Sequence, residues 1–173
     1  MDHDGTVAPT IRPLTPDDAE AVLAINEASV HHLAPMDGDE YRWFLDVAMA
    51  AWAAEVEGRV AGFVLLLEPG LAYESRNYAW FSARFDAFVY LDRVAVDETV
   101  RRAGVGTAIY DAVEARAGEL GRPVLLEVNV APANEPSLAF HGARGYEPVG
   151  ELEHPGPKVV RMFAKHPSRS PHT

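Results

Sequence analysis

Cysteine is absent from this chain of 173 residues, and basic residues are in the minority. Without cysteine there are no disulfides and no thiolate nucleophile, which excludes covalent catalysis through Cys. Only 15 Lys and Arg stand against 26 Asp and Glu, which gives a formal net charge of -11. We expect no nucleic-acid partner, because such binding needs a concentrated basic face to release counterions.

Long hydrophobic runs are missing as well. The longest apolar run, Phe63 to Leu67, has the length of a strand, whereas a membrane-spanning helix needs about 20 apolar residues. The first ten residues are acidic and lack the basic and apolar regions of a signal peptide. We therefore expect no membrane association and a cytoplasmic location. His31 and His32 are neighbours and badly placed to share an ion, so we also expect no metal.

Hydrophobic residues make up 48% of the chain, which is enough for one domain with a sizeable core. We predict a single domain from residue 9 to residue 165, with flexible ends at residues 1–8 and 166–173. Hydrophobic periodicity and turn residues predict an α/β fold with a mixed sheet, in the order β-α-α-β-β-β-α-β-α-β-β. The predicted strands cover residues 9–14, 51–57, 60–68, 85–96, 123–130, 146–153 and 158–165, and the predicted helices cover residues 16–30, 37–50, 105–120 and 134–146.

The segment from Pro69 to Arg84 fits neither the helical nor the strand period and carries aromatic residues among polar ones. Such a long stretch is either a binding loop or a surface loop whose aromatic side chains are pinned to the core. In the strand that follows, the apolar pattern changes phase, which predicts a bulge near Asp92.

Two glycines, Gly104 and Gly106, separate this strand from the next helix. They let the backbone turn tightly, so that N–H groups at the helix N-terminus point at one spot and attract an anion. Arg101 and Arg102 add positive charge at the same place. The loop therefore indicates a phosphate-binding site, although a tight turn with two solvated arginines would have the same sequence pattern.

Two motifs in this chain resemble those of the GNAT superfamily of N-acetyltransferases, and further segments resemble a little-described bacterial branch of it. The first motif is Arg or Gln, two residues, Gly, one residue, then Gly or Ala, and it runs here from Arg101 to Gly106. The second lies on the helix after the next strand, and its matching residues are Asn134, Ser137, Phe140, Gly145 and Tyr146. Where the family has a tyrosine, this chain has His141. The resemblance implies a mixed, mostly antiparallel central sheet flanked by helices.

The resemblance also implies that acetyl-CoA is the cofactor, in a splayed opening between the strands that end near Val96 and Val130. The residues expected to bind its pyrophosphate are Arg101, Arg102, Ala103, Gly104, Val105, Gly106 and Thr107. The residues expected to line its pantetheine arm are Val94, Ala95 and Val96 on one side and Asn129, Asn134, Ser137, Phe140 and His141 on the other.

In the family, the tyrosine at the place of His141 is thought to protonate the coenzyme A thiolate. Proton transfer from an imidazolium with a pKa of about 6.5 to a thiolate with a pKa of about 8.5 is downhill, so His141 is a competent replacement. Only about a quarter of an unshifted histidine is protonated at pH 7. His141 is therefore a catalytic acid, a dispensable residue that contacts the thiol, or a structural residue bonded to a neighbouring helical turn.

Asp92 and Glu127 are the candidate bases that would take a proton from the acceptor amine. Asp92 could instead form an ion pair with Arg93, and Glu127 could instead be a solvated strand residue. Either carboxylate needs a raised pKa or a relaying water, unless the amine arrives already deprotonated. The residues expected in the acceptor pocket are Asn26, Asn77, Tyr78 and Trp80.

The leading hypothesis is an acetyl-CoA-dependent N-acetyltransferase that acts on a primary amine of a small molecule or peptide by direct transfer in a ternary complex. The alternative is a non-catalytic acyl-CoA-binding or regulatory module, because His141 departs from the family pattern. The resemblance also allows a homodimer formed through the closing strands.

Overall fold

The computed structural model describes residues 7–100 and 104–168. The strands are β1 (Thr10–Pro13), β2 (Ala50–Val56), β3 (Arg59–Leu67), β4 (Val89–Val96), β5 (Val124–Ala131), β6 (Glu147–Glu153) and β7 (Val159–Lys165). The helices are α1 (Ala19–Ala28), α2 (Gly38–Val47), α3 (Arg76–Ser82), α4 (Val105–Leu120) and α5 (Glu135–Ala143). Short 3-10 turns lie at Pro16–Asp18 and Glu98–Val100. Residues 1–6 and 169–173, which belong to the two predicted flexible ends, lie outside the described residues.

The strands form one mixed sheet in the order β1-β2-β3-β4-β5-β7-β6. The pairs β1–β2, β2–β3, β5–β7 and β6–β7 are antiparallel, and β4 and β5 are parallel. The α/β fold with a mostly antiparallel sheet and flanking helices is thus confirmed. The register shifts at Ala54/Glu55, Asn129/Ala131 and Pro148/Gly150, while the bulge near Asp92 stays a prediction.

The chain divides into two compact units. The first unit combines Met1–Leu67 with Arg93–Val113, and the second combines Glu68–Asp92 with Glu114–Thr173. In the first unit, strand β3 is buried along most of its length, and side chains of α1 and α2 such as Val22 and Phe44 are buried as well. In the second unit, Phe81, Tyr90, Leu125 and Met162 are among the fully buried side chains.

The sequence predicts a hairpin whose strands are joined through Gly58 and Arg59, whereas the turn between β2 and β3 is formed by Glu57 and Gly58, and Arg59 is the first residue of β3. Both turn residues have positive φ, at 51° and 77°, which is the conformation that a two-residue type I′ turn requires. This turn matches the right-handed twist of the two strands, so it fixes their register without splaying them.

The segment from Pro69 to Arg84, predicted to lack regular structure, contains the helix α3. Ser75 caps this helix by accepting a hydrogen bond from the N–H of Tyr78 at 3.2 Å, and Tyr78 and Phe81 are its buried residues. With only seven residues, α3 presents a single i, i+3 pair to the core. That is too short to show a helical period in the sequence, which is why the prediction was wrong here.

Two features are absent from the described residues. None of the described helices is long and apolar enough to cross a membrane. Within residues 7–100 and 104–168, no three His, Cys, Asp or Glu side chains are grouped so that they would hold a metal ion.

Candidate active site

The two candidate bases lie on neighbouring strands of the second unit. Tyr90 of β4 pairs with Leu125 of β5 in parallel register, so Tyr90 and Asp92 share one face of β4, and Leu125 and Glu127 share one face of β5. The hydroxyl of the buried Tyr90 lies 3.0 Å from each carboxyl oxygen of Glu127. The pairing of the two strands therefore brings a tyrosine hydroxyl and a carboxyl into direct contact.

The environment of Glu127 changes its proton affinity. Burial and the negative charge of Asp92 raise the pKa of Glu127 from 4.5 to about 8, although hydrogen bonds from Tyr90 and Asn77 act in the opposite direction. Glu127 is therefore not the solvated strand residue that was one of the two readings of the sequence. A carboxyl with a pKa of about 8 exchanges its proton near neutral pH, as a general base must.

Asp92, the other candidate base, is held by a tyrosine from the segment before α3. The hydroxyl of Tyr73 donates a hydrogen bond of 2.6 Å to Oδ1 of Asp92. The next residue, Arg93, points to the opposite face of the strand and is only 6% exposed. Its guanidinium donates to Oδ1 of Asn26 at 3.2 Å and to the carbonyl oxygen of Ala34 at 3.1 Å.

Of the four predicted acceptor residues, Asn77 is the one in contact with a candidate base. Its side chain donates a hydrogen bond to Glu127, and its Oδ1 lies 2.8 Å from Nε2 of His154. The hydroxyl of Tyr78, by contrast, donates to the carbonyl of Glu68 at 2.6 Å and accepts from the N–H of Leu71 at 3.0 Å. Tyr78 therefore closes a backbone turn.

Trp80 and Asn26, the other two predicted acceptor residues, make contacts that organise the fold. The Trp80 ring is so close to Gly150 of β6 that an added Cβ would lie 2.5 Å from it, and Arg84 stacks on the ring at 3.8 Å from its centroid. Asn26 is buried in the first unit, where it donates to the carbonyl of Ala34 at 3.1 Å and accepts from Arg93.

The helix that carries His141 has well-defined caps at both ends. Asn134 caps its N-terminus by accepting from the N–H of Ser137 at 3.3 Å. At the C-terminus, Gly145 has a φ of 87°. The N–H of Tyr146 donates to the carbonyl oxygen of His141, and the N–H of Gly145 donates to the carbonyl oxygen of Gly142. These two bonds form a Schellman motif. The Gly-aromatic pair of the second sequence motif is therefore the end of this helix.

His141 is 5% exposed. Its Nδ1 lies 2.7 Å from the carbonyl oxygen of Ser137; because a carbonyl only accepts, Nδ1 carries the proton and donates. Phe140 and Tyr146 meet the imidazole edge-on, with ring centroids at 5.3 and 5.4 Å. Burial lowers the pKa of His141 below 6.5, and Arg144 adds to this, although the bond to Ser137 acts the other way. The hydrogen bond from His141 to Ser137, one turn earlier in the helix, is the bond expected if His141 has a structural role.

The surroundings of His141 are fixed by a cluster that we call the Glu114 clamp, which consists of Glu114, Arg144, Tyr146 and Lys165. The carboxyl of Glu114 accepts hydrogen bonds from Arg144 at 3.0 Å, from Tyr146 at 3.1 Å and from Lys165 at 2.6 Å. Burial alone would raise the pKa of Glu114, but the bonds from Arg144 and Lys165 outweigh it and lower the pKa below 4.5.

The predicted phosphate loop lies in the first unit, and its described part fits a pyrophosphate. Gly104 has a φ of 70°, which favours glycine, and α4 begins at the next residue. Nothing lies within 4 Å of the place where a Cβ would stand at Gly104 or Gly106. The first N–H groups of a helix have no partner within the helix, and such groups bind anions. In α4 these are the N–H groups of Val105, Gly106 and Thr107. Arg101, Arg102 and Ala103 lie outside the described residues.

Gly62 of β3 explains how the start of α4 comes close to the sheet. A Cβ at this position would lie 2.9 Å from the carbonyl oxygen of Ala95 and 3.0 Å from Cγ1 of Val105. The predicted arm residues Val94, Ala95 and Val96 form the last part of β4, with Ala95 buried and its two neighbours partly exposed. Gly62 was not predicted, because a glycine within an apolar strand gives no sign of what approaches it.

The remaining predicted arm residues belong to the second unit. Asn129 lies in β5, and its carbonyl oxygen accepts from the N–H of Asn134 at 3.0 Å. Ser137 places its hydroxyl 3.2 Å from Nδ1 of His141, and Phe140 precedes His141 on α5. Strand β5 and helix α5 thus bring all five residues to one part of the unit.

Three residues around the two candidate bases were not predicted: Tyr73, which bonds to Asp92, Tyr90, which bonds to Glu127, and His154, which bonds to Asn77. Tyr90 stands two residues before Asp92, so the strand period was a usable signal that the two share a face. Tyr73 lies in the aromatic segment, whose fold the sequence did not reveal. His154 follows β6 and reaches Asn77 across 77 positions in the sequence, which no local pattern indicates.

Comparison with known proteins identifies the class of protein that this fold and these residues define. Residues 19–146 match the model of the Acetyltransferase (GNAT) family, so the chain belongs to that family. It is therefore an acetyltransferase, and its acyl donor is acetyl-CoA. No curated protein matches the sequence.

Solved structures with the same fold include the following three. Ard1 from Thermoplasma volcanium is 23% identical, with a TM-score of 0.75 over 94% of this chain and 100% of that one. NAA60 from Arabidopsis thaliana, solved with acetyl-CoA, is 20% identical, with a TM-score of 0.71 over 92% and 98%. The ribosomal-protein-S18-alanine N-acetyltransferase of Escherichia coli is 17% identical, with a TM-score of 0.69 over 94% and 96%.

Proposed function

We propose that this acetyltransferase transfers the acetyl group directly to a primary amine of a small molecule or peptide, in a ternary complex, with Glu127 as the general base. The observation that carries the proposal is the carboxyl of Glu127 beside Asp92, with a pKa of about 8. A base is most effective when its pKa lies near the working pH, and this carboxyl meets that condition.

The reaction needs two proton movements. Acetyl-CoA supplies an acetyl thioester, so that the amine nitrogen forms a C–N bond to the acetyl carbon while the C–S bond breaks and the electrons leave on sulfur. The nitrogen must lose one proton, and the thiolate must gain one. Glu127 takes the proton from nitrogen, and Asp92 keeps a negative charge next to it that favours uptake of that proton.

The chain holds the donor with the residues that the family resemblance assigned. The N–H groups at the start of α4, from Val105 to Thr107, would hold the pyrophosphate, and Arg101 and Arg102 would add charge. The open space over Gly104 and Gly106 supports this assignment, since phosphate oxygens need to approach the backbone closely.

His141 stays in the proposal as the donor of the proton to sulfur, and its geometry sets a condition on that role. Burial keeps its pKa below 6.5, so the imidazolium is a minor species at neutral pH. An acid role therefore predicts that kcat falls as pH rises through a value below 6.5. His141→Ala should then lose activity by about 100-fold to 10,000-fold. His141→Tyr should recover part of that activity, and its kcat should fall only at a higher pH. Wild-type turnover in both variants would exclude the acid role.

A panel of amines assayed for thiol release from acetyl-CoA tests the proposed reaction. The E. coli neighbour is named for an alanine of a ribosomal protein, so the panel includes peptides with free N-termini beside small amines. We expect turnover with at least one member and a loss of about 100-fold or more in Glu127→Gln. The matched control is Glu40→Gln, which changes an exposed carboxyl on α2. Stabilisation by acetyl-CoA in a thermal-shift assay without thiol release from any amine would instead favour a binding module.

A cytoplasmic location and a homodimer remain part of the proposal. Size-exclusion chromatography with light scattering measures the oligomeric state directly, and a monomer at assay concentration would exclude the homodimer.

A further inference from the structure

Two separate segments of the second unit meet beside Glu127. Helix α3 carries Asn77 at its second residue, and the turn between β6 and β7 carries His154. That turn is closed by a hydrogen bond of 2.9 Å from the N–H of His154 to the carbonyl of Lys158. Glu127 itself lies on β5, so three elements contribute to one contact.

The contact between His154 and Asn77 has only one reasonable hydrogen-bond direction. Nε2 of His154 lies 2.8 Å from Oδ1 of Asn77. An amide oxygen accepts and never donates, so Nε2 carries the hydrogen. The amide nitrogen of Asn77 is then the group that donates to Glu127. Each end of the amide therefore has its own partner.

We propose that His154 is a positioning residue that holds the amide of Asn77 in the orientation in which it donates to the carboxyl of Glu127. This inference rests on the proposed function in one respect, namely that Glu127 is the base. An amide does not pass protons readily, so the pair orients the base and does not relay its proton. Without His154, the Asn77 amide can rotate and present its oxygen to the carboxyl.

His154 lies outside the segment that matches the family model, which ends at residue 146. The family match therefore does not cover this contact. The titratable and charged groups around the pair come from four places: Tyr90 and Asp92 on β4, Tyr73 before α3, Arg76 on α3, and Lys158 in the β6–β7 turn.

Substitutions at Asn77 and His154 should change the pKa of Glu127 in a pattern that a purely structural contact would not produce. Removing the Asn77 donor in Asn77→Leu raises the pKa of Glu127 by about one unit, since a hydrogen bond to the charged form favours that form. His154→Leu shifts it in the same direction. His154→Gln restores the wild-type value, because a glutamine side-chain N–H also donates to Oδ1 of Asn77. The double variant Asn77→Leu/His154→Leu titrates like Asn77→Leu alone.

The measurement is a 13C NMR titration of glutamate side-chain carboxyls in the full chain, with the Glu127 signal assigned by its absence in Glu127→Gln. His166→Leu, which changes an exposed histidine beyond β7, is the matched control and should leave the titration unchanged. In the kinetic assay, kcat/KM of Asn77→Leu falls about fivefold at pH 8 and recovers near pH 10, because fewer carboxyls are ionised at the lower pH.

The inference is overturned if Asn77→Leu raises the pKa of Glu127 while His154→Leu does not, or if the effects of the two substitutions add in the double variant. A circular-dichroism melt identifies any variant that fails to fold, and His154→Gln then provides the test in its place: a pKa that departs from the wild-type value would contradict the inference. Failure of the proposed function looks different, because Glu127→Gln would then keep full turnover whatever the titration shows.

Discussion

Replacing Glu127 by glutamine removes a titrating carboxyl from the second unit while keeping its size and one oxygen acceptor. In the unfolded chain this carboxyl titrates near 4.5, and in the folded protein its pKa is about 8. Between these two values the folded state holds a proton that the unfolded state has lost. Stability therefore falls as the pH rises through this window.

The size of the effect follows from the same two numbers. One pH unit corresponds to about 1.4 kcal/mol for one proton, so the penalty reaches about 5 kcal/mol at the upper end of the window. That value is an upper limit, since part of the shift comes from the charge of Asp92 and belongs to the pair. Glu127→Gln carries no such penalty, so its advantage over the wild type should grow with pH from 5 to 8 and then stay constant.

The assay is urea unfolding followed by tryptophan fluorescence at each pH unit from 5 to 9. Between pH 5 and 8 the wild-type free energy of unfolding should decline relative to that of Glu127→Gln by about 1 kcal/mol per pH unit, whereas Glu40→Gln should run parallel to the wild type. Parallel curves for wild type and Glu127→Gln would refute the reasoning, because they would mean that folding leaves the proton affinity of Glu127 unchanged.

Four further substitutions test the framework around the site, each by urea unfolding. Gly145→Ala should destabilise by about 1–2 kcal/mol, because its φ is 87°, while Gly142→Ala, inside α5 with open space around it, should stabilise by up to about 1 kcal/mol. Gly150→Ala should destabilise by about 1–3 kcal/mol through contact with Trp80, and the loss should shrink in a Trp80→Leu background. Glu114→Gln should destabilise by about 2 kcal/mol at pH 7. The loss should become smaller as the pH falls below 4.5, since Arg144 and Lys165 stabilise Glu114 only in its ionised form. An equal loss at all pH values would contradict this interpretation of the clamp.

Much of the fold was open to prediction because its signals are local. Strand and helix periods placed the strands and four of the five helices in the right order, and Gly58 marked the hairpin turn to within one residue. The helix α3 was missed since seven residues cannot show a period. The glycine-rich loop and the Asn134 motif led to the correct family because each depends on short spacings that survive in the sequence.

The contacts among candidate site residues were predictable only in part. Asp92 and Glu127 could be chosen from the strand faces, because alternation is a local property. Tyr73, which bonds to Asp92, comes from a segment without a period, and His154, which bonds to Asn77, comes from a turn. The pKa of Glu127 depends on how those segments pack. The backbone roles of Tyr78 and Asn26 were equally hidden, since a polar side chain in the sequence does not show whether its partner is a ligand or a carbonyl.

Strand β6 stands at one end of the sheet order, and its sequence bears on how the molecule meets its neighbours. Three exposed glutamates, Glu147, Glu151 and Glu153, lie along it, with Pro148 beside a register shift. Charges, proline and irregular register are the features that keep a free strand edge from recruiting another strand. Continuation of this sheet from one molecule into the next by strand addition is therefore disfavoured at the β6 edge, which protects the protein from edge-to-edge aggregation.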